Sequence, residues 1–356
     1  MSIKDKEDCF YSDVGLFNSL NNMGVIDAID IAEYEVPTTN TTITAKTNLL
    51  TRDKISNTLL DKDIINKGEQ LLKMEKKGSK DTVTTRIVVT LDPDEITKVS
   101  QNVSINYRFS YFDKCVFDSI CSLLAVGNNA ISLAMIARNM MGKKSTYHPS
   151  ENMLNEIDET INKLEKIKVR IDLSEEVSHF SQIKNKFKSG KAILQSRFLE
   201  FRKLDTVLNG TETSVITFTA EPILLQYAKL RNQISSIKSE LLDTPTQKNK
   251  TLLTVQTFLI QKINMLKLNP LLPQCIMYES IYELFNDEYA NKNTKFLYIK
   301  IRESIISILD YWIEKGFIEN YNIESKGRVR FYKINIFFSN NKIIPENIIE
   351  CDTSNL

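Results

Sequence analysis

One order of predicted elements occurs twice along this chain of 356 residues. Each copy reads as a short apolar helix, a second helix, a longer amphipathic helix, and then a two-stranded β-ribbon with basic residues near its tip. The first copy spans about residues 111–219 and the second about residues 251–338. A chain that repeats such an order is expected to fold as two modules of the same kind.

Local signals set the element bounds in the first copy. Asp113 is the predicted N-cap of its first helix, and Ser132 and Ser150 are expected to cap the second and third helices. The predicted hairpin pairs residues 192–207 with residues 214–219 around an Asn-Gly turn, which is a strong hairpin signal.

The second copy repeats the order with a cleaner ribbon. A helix from Thr251 is ended by Pro270, and a long helix over 294–315 ends at Gly316. Residues 317–323 and 328–337 then form a hairpin with a Ser-Lys-Gly turn. This is the order of a winged helix-turn-helix domain. The predicted fold class is therefore α+β and helix-rich, with two tandem winged helix-turn-helix domains and a poorly ordered N-terminal extension.

The regions outside the two copies give weaker predictions. Residues 51–75 have apolar residues near helical spacing, and the β-branched run TVTTRIVVTL predicts a strand at Thr82–Leu91. A connecting helix is predicted over 223–241. The predicted domains are a largely flexible extension (1–85), a first winged-helix domain (86–220), a connecting helix and linker (221–250), a second winged-helix domain (251–340) and a C-terminal tail (341–356).

The charge of the chain is small overall but unevenly distributed. The formal net charge is +1, whereas residues 1–50 carry eight acids and three bases, and residues 292–333 carry nine bases and five acids. A near-neutral total can hide a basic face behind an acidic segment. No apolar run approaches the ~20 residues that span a bilayer, and the charged start is unlike a secretory signal, so a cytoplasmic protein is expected.

Cysteines, histidines and carboxylates form no pattern typical of a catalytic or metal site. The five cysteines include no CxxC pair, which argues against a disulfide framework or a zinc site. The phosphate-binding motif GxxxxGKS/T is missing, and His148 and His179 are isolated. Asp92 and Asp94 alternate like a two-metal pair, but Asp-Pro-Asp after a strand is more often a turn. The chain is expected to be no enzyme and to need no metal or cofactor.

Candidate DNA-binding residues concentrate in the second copy. The long helix has basic and polar residues at its start, where a recognition helix meets base edges and phosphates. The hairpin adds cations suited to the DNA backbone. The alternative is a solvated face on a core helix. The predicted set is Lys292, Lys295, Tyr298, Lys300 and Arg302 in the helix region, and Lys326, Arg328 and Arg330 in the hairpin.

The first copy carries a weaker set of the same kind. The predicted DNA-binding residues are Arg138, Lys143, Lys144 and Asn152. Acidic residues over 151–159 would repel phosphates if they faced the groove, so DNA contact and protein interaction both stay open here.

Two stretches carry a resemblance to a known family. In IRESIISILDYWIEKGFIENYNIESKGRVRFYKINI (301–336), a long helix with a late glycine leads into a strand, a Lys-Gly-Arg turn and a returning strand. Residues 112–172 carry a weaker likeness. Together they resemble the theta-type plasmid replication initiators, the Rep/RepA-like family with two tandem winged-helix domains. The long region 1–85 and the missing leucine-rich dimer signature depart from the family's pattern.

The resemblance implies a protein that binds repeated sites in double-stranded DNA at a plasmid or phage origin. It further implies opening of an AT-rich segment and recruitment of a host helicase or initiator. In such proteins the C-terminal winged helix makes the main base contacts, and the N-terminal one contacts DNA or mediates a homodimer. Two alternatives stay open. One is a winged-helix transcriptional regulator or segregation adaptor, and the other is a winged-helix protein-interaction module.

Overall fold

A computed structural model of the chain describes residues 47–51, 60, 69–75, 82–91, 109–128, 130–144, 146–175, 192–208, 211–231, 233–285, 294–327 and 329–338. The chain divides into two compact units. The first contains Met1–Asp243 and Asn249–Thr254, and the second contains Thr244–Lys248 and Val255–Leu356. The described part is α+β, which confirms the coarse fold class.

Four helices and nine strands of the first unit are described. The strands are β1 (Thr47–Thr51), β2 (Glu69–Glu75), β3 (Thr82–Leu91), β4 (Ala130–Ser132), β5 (Ile167–Asp172), β6 (Ile193–Arg197), β7 (Phe201–Leu208), β8 (Thr211–Phe218) and β9 (Ile234–Lys238). The helices are α1 (Tyr111–Ala125), α2 (Leu133–Met141), α3 (Glu151–Glu165) and α4 (Ile223–Leu230), with a 3-10 turn at Ser239–Leu242.

Helix α1 forms the centre of the first unit. Twelve of its fifteen residues are buried, including the fully buried Phe112, Val116 and Phe117. It packs against α2, α3 and β1. Its start is fixed by a capping box, in which Ser110 and Asp113 each accept a hydrogen bond from the other's backbone N–H. Ser110 is thus the N-cap, and the prediction of Asp113 at that position was wrong by three residues.

The described strands of the first unit form three antiparallel sheets. Their strand orders are β2-β3-β5-β6, β4-β8-β7 and β1-β9. In the four-stranded sheet, residues of β5 alternate between buried and exposed, with Ile167, Val169 and Ile171 buried. The period of two shows that one face of this sheet covers the core and the other meets solvent.

The second unit is smaller, and its described strands form one sheet. Its elements are α5 (Lys250–Leu268, whose first five residues belong to the first unit), β10 (Cys275–Met277), α6 (Tyr278–Tyr282), a 3-10 turn (Glu283–Phe285), α7 (Thr294–Glu314), β11 (Asn320–Lys326) and β12 (Val329–Phe337). The sheet order is β10-β12-β11. Trp312 is completely buried, together with the stripe Ile301, Ile305, Ile308 and Leu309 on the inner side of α7.

Each unit contains a three-stranded sheet of the same topology. In each, a short strand between the first and second helices pairs with the last strand of the hairpin, and that strand pairs with the first. The short strand is β4 in the first unit and β10 in the second. The predicted second and third helices are confirmed in both copies, and each copy also has this short strand.

The region before residue 86 differs from its prediction. Strands β1, β2 and the start of β3 lie within the extension that was predicted to be largely flexible. The helix predicted within residues 51–75 rested on apolar residues from Ile55 to Ile65, of which only Leu60 is described, and Glu69–Glu75 forms strand β2. The strand prediction at Thr82–Leu91 is confirmed. These strands are stabilised by partners far along the chain, since β1 pairs with β9 and β3 with β5.

Two further predictions failed because of distant strand partners. The connecting helix predicted over 223–241 ends at Leu230, and residues Ile234–Lys238 pair with β1 instead. The long first strand predicted over 192–207 is two strands, because β6 pairs with β5 while β7 pairs with β8. The buried residues Phe198 and Leu199 separate the two strands.

Candidate nucleic-acid interface

The first two turns of α7 present a mixed apolar and basic surface. Phe296 is 61% exposed and Ile299 is 40% exposed. Lys300 is exposed beside them, with its Nζ 4.8 Å from the centre of the Phe296 ring. Lys295 lies in the first turn of the same helix, and Lys292 lies outside the described residues. Lys300 is thus exposed together with two apolar side chains, and the apolar part of this surface was not predicted.

Tyr298 and Arg302 face the body of the unit rather than standing free. The Tyr298 ring stacks on Tyr282, with centroids 4.2 Å apart. Arg302 donates from Nε to the Tyr282 hydroxyl at 2.6 Å, and its guanidinium carbon lies 4.7 Å from the centre of the Phe331 ring. Burial raises the pKa of the Tyr282 hydroxyl. Arg302 thereby joins α7 to α6 and to the hairpin.

The hairpin tip of the second unit carries an exposed lysine. Lys326 precedes Gly327, whose positive φ of +59° suits the turn. The Lys326 Nζ lies 4.8 Å from the centre of the Tyr332 ring. Arg328 lies outside the described residues, and Arg330 is in β12. Lys326 is therefore an exposed cation at the tip of this hairpin.

Two of the four candidates in the first unit are engaged in structural contacts. Arg138 is only 7% exposed and donates from Nε to the backbone oxygen of Tyr147 at 2.7 Å. Burial lowers the pKa of its guanidinium, which reflects the loss of solvent around the charge. Lys143 forms an ion pair with Asp243. Both side chains therefore hold the segment after α2 in place.

The other two candidates are exposed. Lys144 stands after α2, and Asn152 lies in the first turn of α3. Glu151 and Glu159 are exposed on the same helix. The exposed side of α3 is therefore amide-bearing and acidic rather than basic, in contrast to the first two turns of α7.

An exposed apolar segment at the end of α5 was not predicted from the sequence. Leu271 is 99% exposed, and three further large apolar side chains of the same stretch are exposed: Met265, Leu268 and Leu272. Pro270 and Pro273 lie within this stretch, which was predicted only as a helix end. Helical periodicity does not reveal an exposed apolar segment, because apolar residues in a helical pattern are normally assigned to the core.

The described residues offer little for metal or membrane chemistry. Within them, no group of three or more His, Cys, Asp or Glu side chains is placed to hold a metal ion. Cys115, Cys121 and Cys275 are in the thiol form, and His148 is exposed. Asp92, Asp94 and His179 lie outside the described residues. In the described part of the chain, no helix is both long enough and apolar enough to cross a membrane.

Comparison with known proteins gives only distant structural likenesses. No protein-family model matches the sequence, and no curated protein matches it. The chain is similar to a crystal structure of a selenomethionine derivative of domains 2 and 3 of RctB, with 14% identity and a TM-score of 0.34, over 76% of this chain and 91% of that one. It is also similar to a crystal structure of RctB domains 2-3, with 13% identity, a TM-score of 0.35 and the same coverage. At such low scores the likeness does not establish a common fold.

Proposed function

We propose that the protein is a sequence-specific DNA-binding protein whose units each contain a winged helix-turn-helix, and that it initiates replication at a plasmid or phage origin. The exposed side of α7 supports DNA binding most directly. Its first two turns carry Lys300 beside Phe296 and Ile299, and its exposed acids lie further along. A winged helix inserts the start of its third helix into the major groove and places its hairpin near the backbone. The replication role rests on the sequence resemblance over 301–336 and 112–172.

The proposed roles differ among the predicted residues. Lys300 and Lys326 contact phosphates or base edges, since both are exposed at the proposed interface. Lys292, Lys295, Arg328 and Arg330 share that role by their positions in the sequence. Tyr298 and Arg302 instead hold α7 against α6 and β12, because their rings and guanidinium are already packed. In the first unit, Lys144 and Asn152 are the candidates that stay available for DNA.

The first test is binding of the purified full chain to its own upstream region and to random DNA at two salt concentrations. Lys300→Ala with Lys326→Ala should weaken binding and reduce the salt slope by about two, one for each lost phosphate contact. Lys238→Ala, an exposed lysine on β9 of the other unit, is the matched control and should leave the slope unchanged. An unaltered slope in the double variant would contradict the proposed interface.

Arg302→Lys tests the positioning role separately. Lysine keeps the charge but loses the planar contact with Phe331 and the Nε bond to Tyr282. The thermal midpoint of unfolding should fall, corresponding to about 1–2 kcal/mol. Arg302→Lys that binds DNA poorly while unfolding at the wild-type temperature would show instead that Arg302 reads DNA directly.

Replication and regulation are separated by a maintenance assay. A plasmid that contains the footprinted region as its only origin should persist in host cells only when the protein is supplied. If the footprint is specific but the plasmid is lost, the protein is a regulator or segregation adaptor that uses the same interface.

A protein-interaction role is the second candidate, and the exposed apolar stretch that contains Leu271 favours it. Large exposed apolar groups are enriched at interaction sites. If the full chain binds no DNA at low salt, sedimentation of the wild type against Leu271→Asp tests this role through self-association. A concentration-dependent sedimentation coefficient that the substitution abolishes would support it, and identical monomeric behaviour would argue against self-association.

A further inference from the structure

Two large apolar side chains stand together in solvent at the start of α7. Single exposed hydrophobic residues are normal on protein surfaces. Phe296 and Ile299, however, are three positions apart and therefore lie on one side of the helix. Lys300 lies on that side too, whereas Ile301 and Ile305 are completely buried on the opposite side. The exposed side therefore combines apolar area with a positive charge.

The charges along α7 restrict what can approach this surface. No acidic residue occurs from Thr294 to Arg302, and the exposed acids begin at Glu303 and continue with Asp310 and Glu314. A polyanion is attracted to the first two turns and repelled by the rest of the helix. This polarity is the complementarity expected for DNA that meets only the beginning of the helix.

DNA offers one apolar group to such a helix. In the major groove, each base pair presents hydrogen-bonding atoms, and thymine adds the C5-methyl group. We propose that Phe296 and Ile299 read thymine methyl groups in the major groove, an inference that rests on the proposed DNA-binding function. Lys300, next to the Phe296 ring at 4.8 Å, contacts the neighbouring phosphate or base edge. The protein would then select T-containing steps by apolar contact, in addition to any hydrogen-bonded base.

Removal of single methyl groups from the DNA tests this proposal. In the footprinted duplex, each thymine is replaced in turn by deoxyuridine, which keeps the base pairing and removes only the methyl group. Binding is measured for the full chain and for three variants: Phe296→Ala, Ile299→Ala and Phe337→Ala. Phe337 is the matched control, because it is 49% exposed in the same unit but lies on β12.

The wild type should lose up to about fourfold in affinity at each thymine whose methyl group is fully buried by the contact. Phe296→Ala and Ile299→Ala should weaken binding to the thymine duplex. They should also bring the ratio of affinities for the thymine and uracil duplexes towards one. Phe337→Ala should keep the wild-type ratio. Since the substituted side chains are exposed, the variants should unfold at the wild-type temperature, which is measured in parallel.

The outcomes distinguish failure of the proposed methyl contact from failure of the proposed DNA binding. Equal affinity of the wild type for every thymine and uracil duplex overturns the methyl contact while DNA binding stands. A preference that is unchanged in Phe296→Ala and Ile299→Ala overturns the assignment to these residues. Binding to none of the duplexes, even at low salt, overturns the proposed function and the inference together, and leaves the apolar pair as a protein-docking surface.

Discussion

At the scale of single residues, the most unusual feature is an ion pair inside the first unit. The Lys114 side chain is completely buried, and its Nζ lies 2.5 Å from each carboxylate oxygen of Asp118, one turn along α1. Removing two charges from water is expensive, and their attraction compensates only when the geometry is good. The attraction between Lys114 and Asp118 therefore offsets the cost of burying both charges, whereas either charge buried without the other would destabilise the unit.

This balance predicts opposite effects for single and double substitutions. Asp118→Asn should destabilise the first unit by about 3–5 kcal/mol, because it leaves a buried ammonium without its counter-charge. Lys114→Met together with Asp118→Leu should recover most of that loss. Urea unfolding monitored by circular dichroism measures both.

A more exposed pair provides the control for this prediction. Glu165 and Arg197 lie 3.2 Å apart with side chains about a third exposed. Glu165→Gln should change stability by about 1 kcal/mol or less. If Asp118→Asn is no more harmful than Glu165→Gln, the buried pair does not depend on its charges.

Lys267 in the second unit gives a pH-dependent prediction. Its Nζ donates a hydrogen bond to the backbone oxygen of Phe317 and lies 3.8 Å from the centre of that ring. Burial lowers the pKa of Lys267 from 10.5 to about 8. Between these two pH values the unfolded chain binds more protons at this position than the folded chain, so the free energy of unfolding rises with pH.

The test compares the wild type with Lys267→Met across that window. The stability of the wild type relative to Lys267→Met should be constant below about pH 8, increase up to about pH 10.5, and then level off. Other lysines and tyrosines titrate in both proteins and cancel in the difference. A difference that is flat or falls with pH would contradict a lowered pKa. Unfolding followed by Trp312 fluorescence reports on the same unit.

At the scale of elements, the turn after α2 depends on one glycine. Gly142 has a φ of +65°, and a Cβ added there would lie 2.3 Å from the backbone oxygen of Ser239 and 2.9 Å from the backbone nitrogen of Asp243. The close backbone of the 3-10 turn cannot move away cheaply. Glycine is therefore required at this position for space as well as for its left-handed conformation.

Gly127 provides a control that separates these two requirements. Its φ is +91°, but a Cβ added there meets nothing within 4 Å. Gly127→Ala should cost about 1 kcal/mol of strain, whereas Gly142→Ala should cost roughly 2–4 kcal/mol from strain and overlap combined. Thermal unfolding of the two variants measures the gap. Equal losses would show that the turn after α2 can shift to make room.

The elements also show what could be predicted from sequence. Helix α2 is bounded by Ser132, whose side chain accepts from the Met135 backbone N–H, and by Gly142. Helix α7 is amphipathic as predicted, with one buried apolar side. These signals are local, because a cap, a turn residue or an apolar period acts within a few residues. The bounds of α2 and α7 were accordingly predicted within a few residues.

Elements that depend on distant partners were not predictable in this way. Strand β9 has a sequence that continues a helical pattern, yet it pairs with β1, almost two hundred residues earlier in the chain. Asn48 in β1 makes side-chain hydrogen bonds with Asn139 and Ser239. The same limit applies to the candidate site. The sequence indicated that Arg302 is basic and on α7, but its contacts with Tyr282 and Phe331 depend on the packing of three elements.

At the scale of the whole molecule, the near-neutral charge is the main objection to DNA binding. Residues 1–35 carry eight acids and two bases, so their removal changes the formal net charge from +1 to +7. The acidic segment therefore lowers the net charge of the whole chain by six. Long-range attraction between a protein and a polyanion depends on this summed field as well as on the contacts.

Deletion of residues 1–35 should therefore strengthen DNA binding at low ionic strength, by roughly tenfold. The gain should appear mainly in the association rate and shrink at higher salt, where the Debye length falls to about 10 Å or less. A full-length variant with the order of residues 1–35 scrambled keeps the charge and should bind like the wild type. Stopped-flow association at two salt concentrations distinguishes the cases. The scrambled variant and the wild type have the same net charge, so charge alone predicts the same association rate for both. If the scrambled variant instead binds as fast as the deletion variant, the native order of residues 1–35 slows binding through a specific contact.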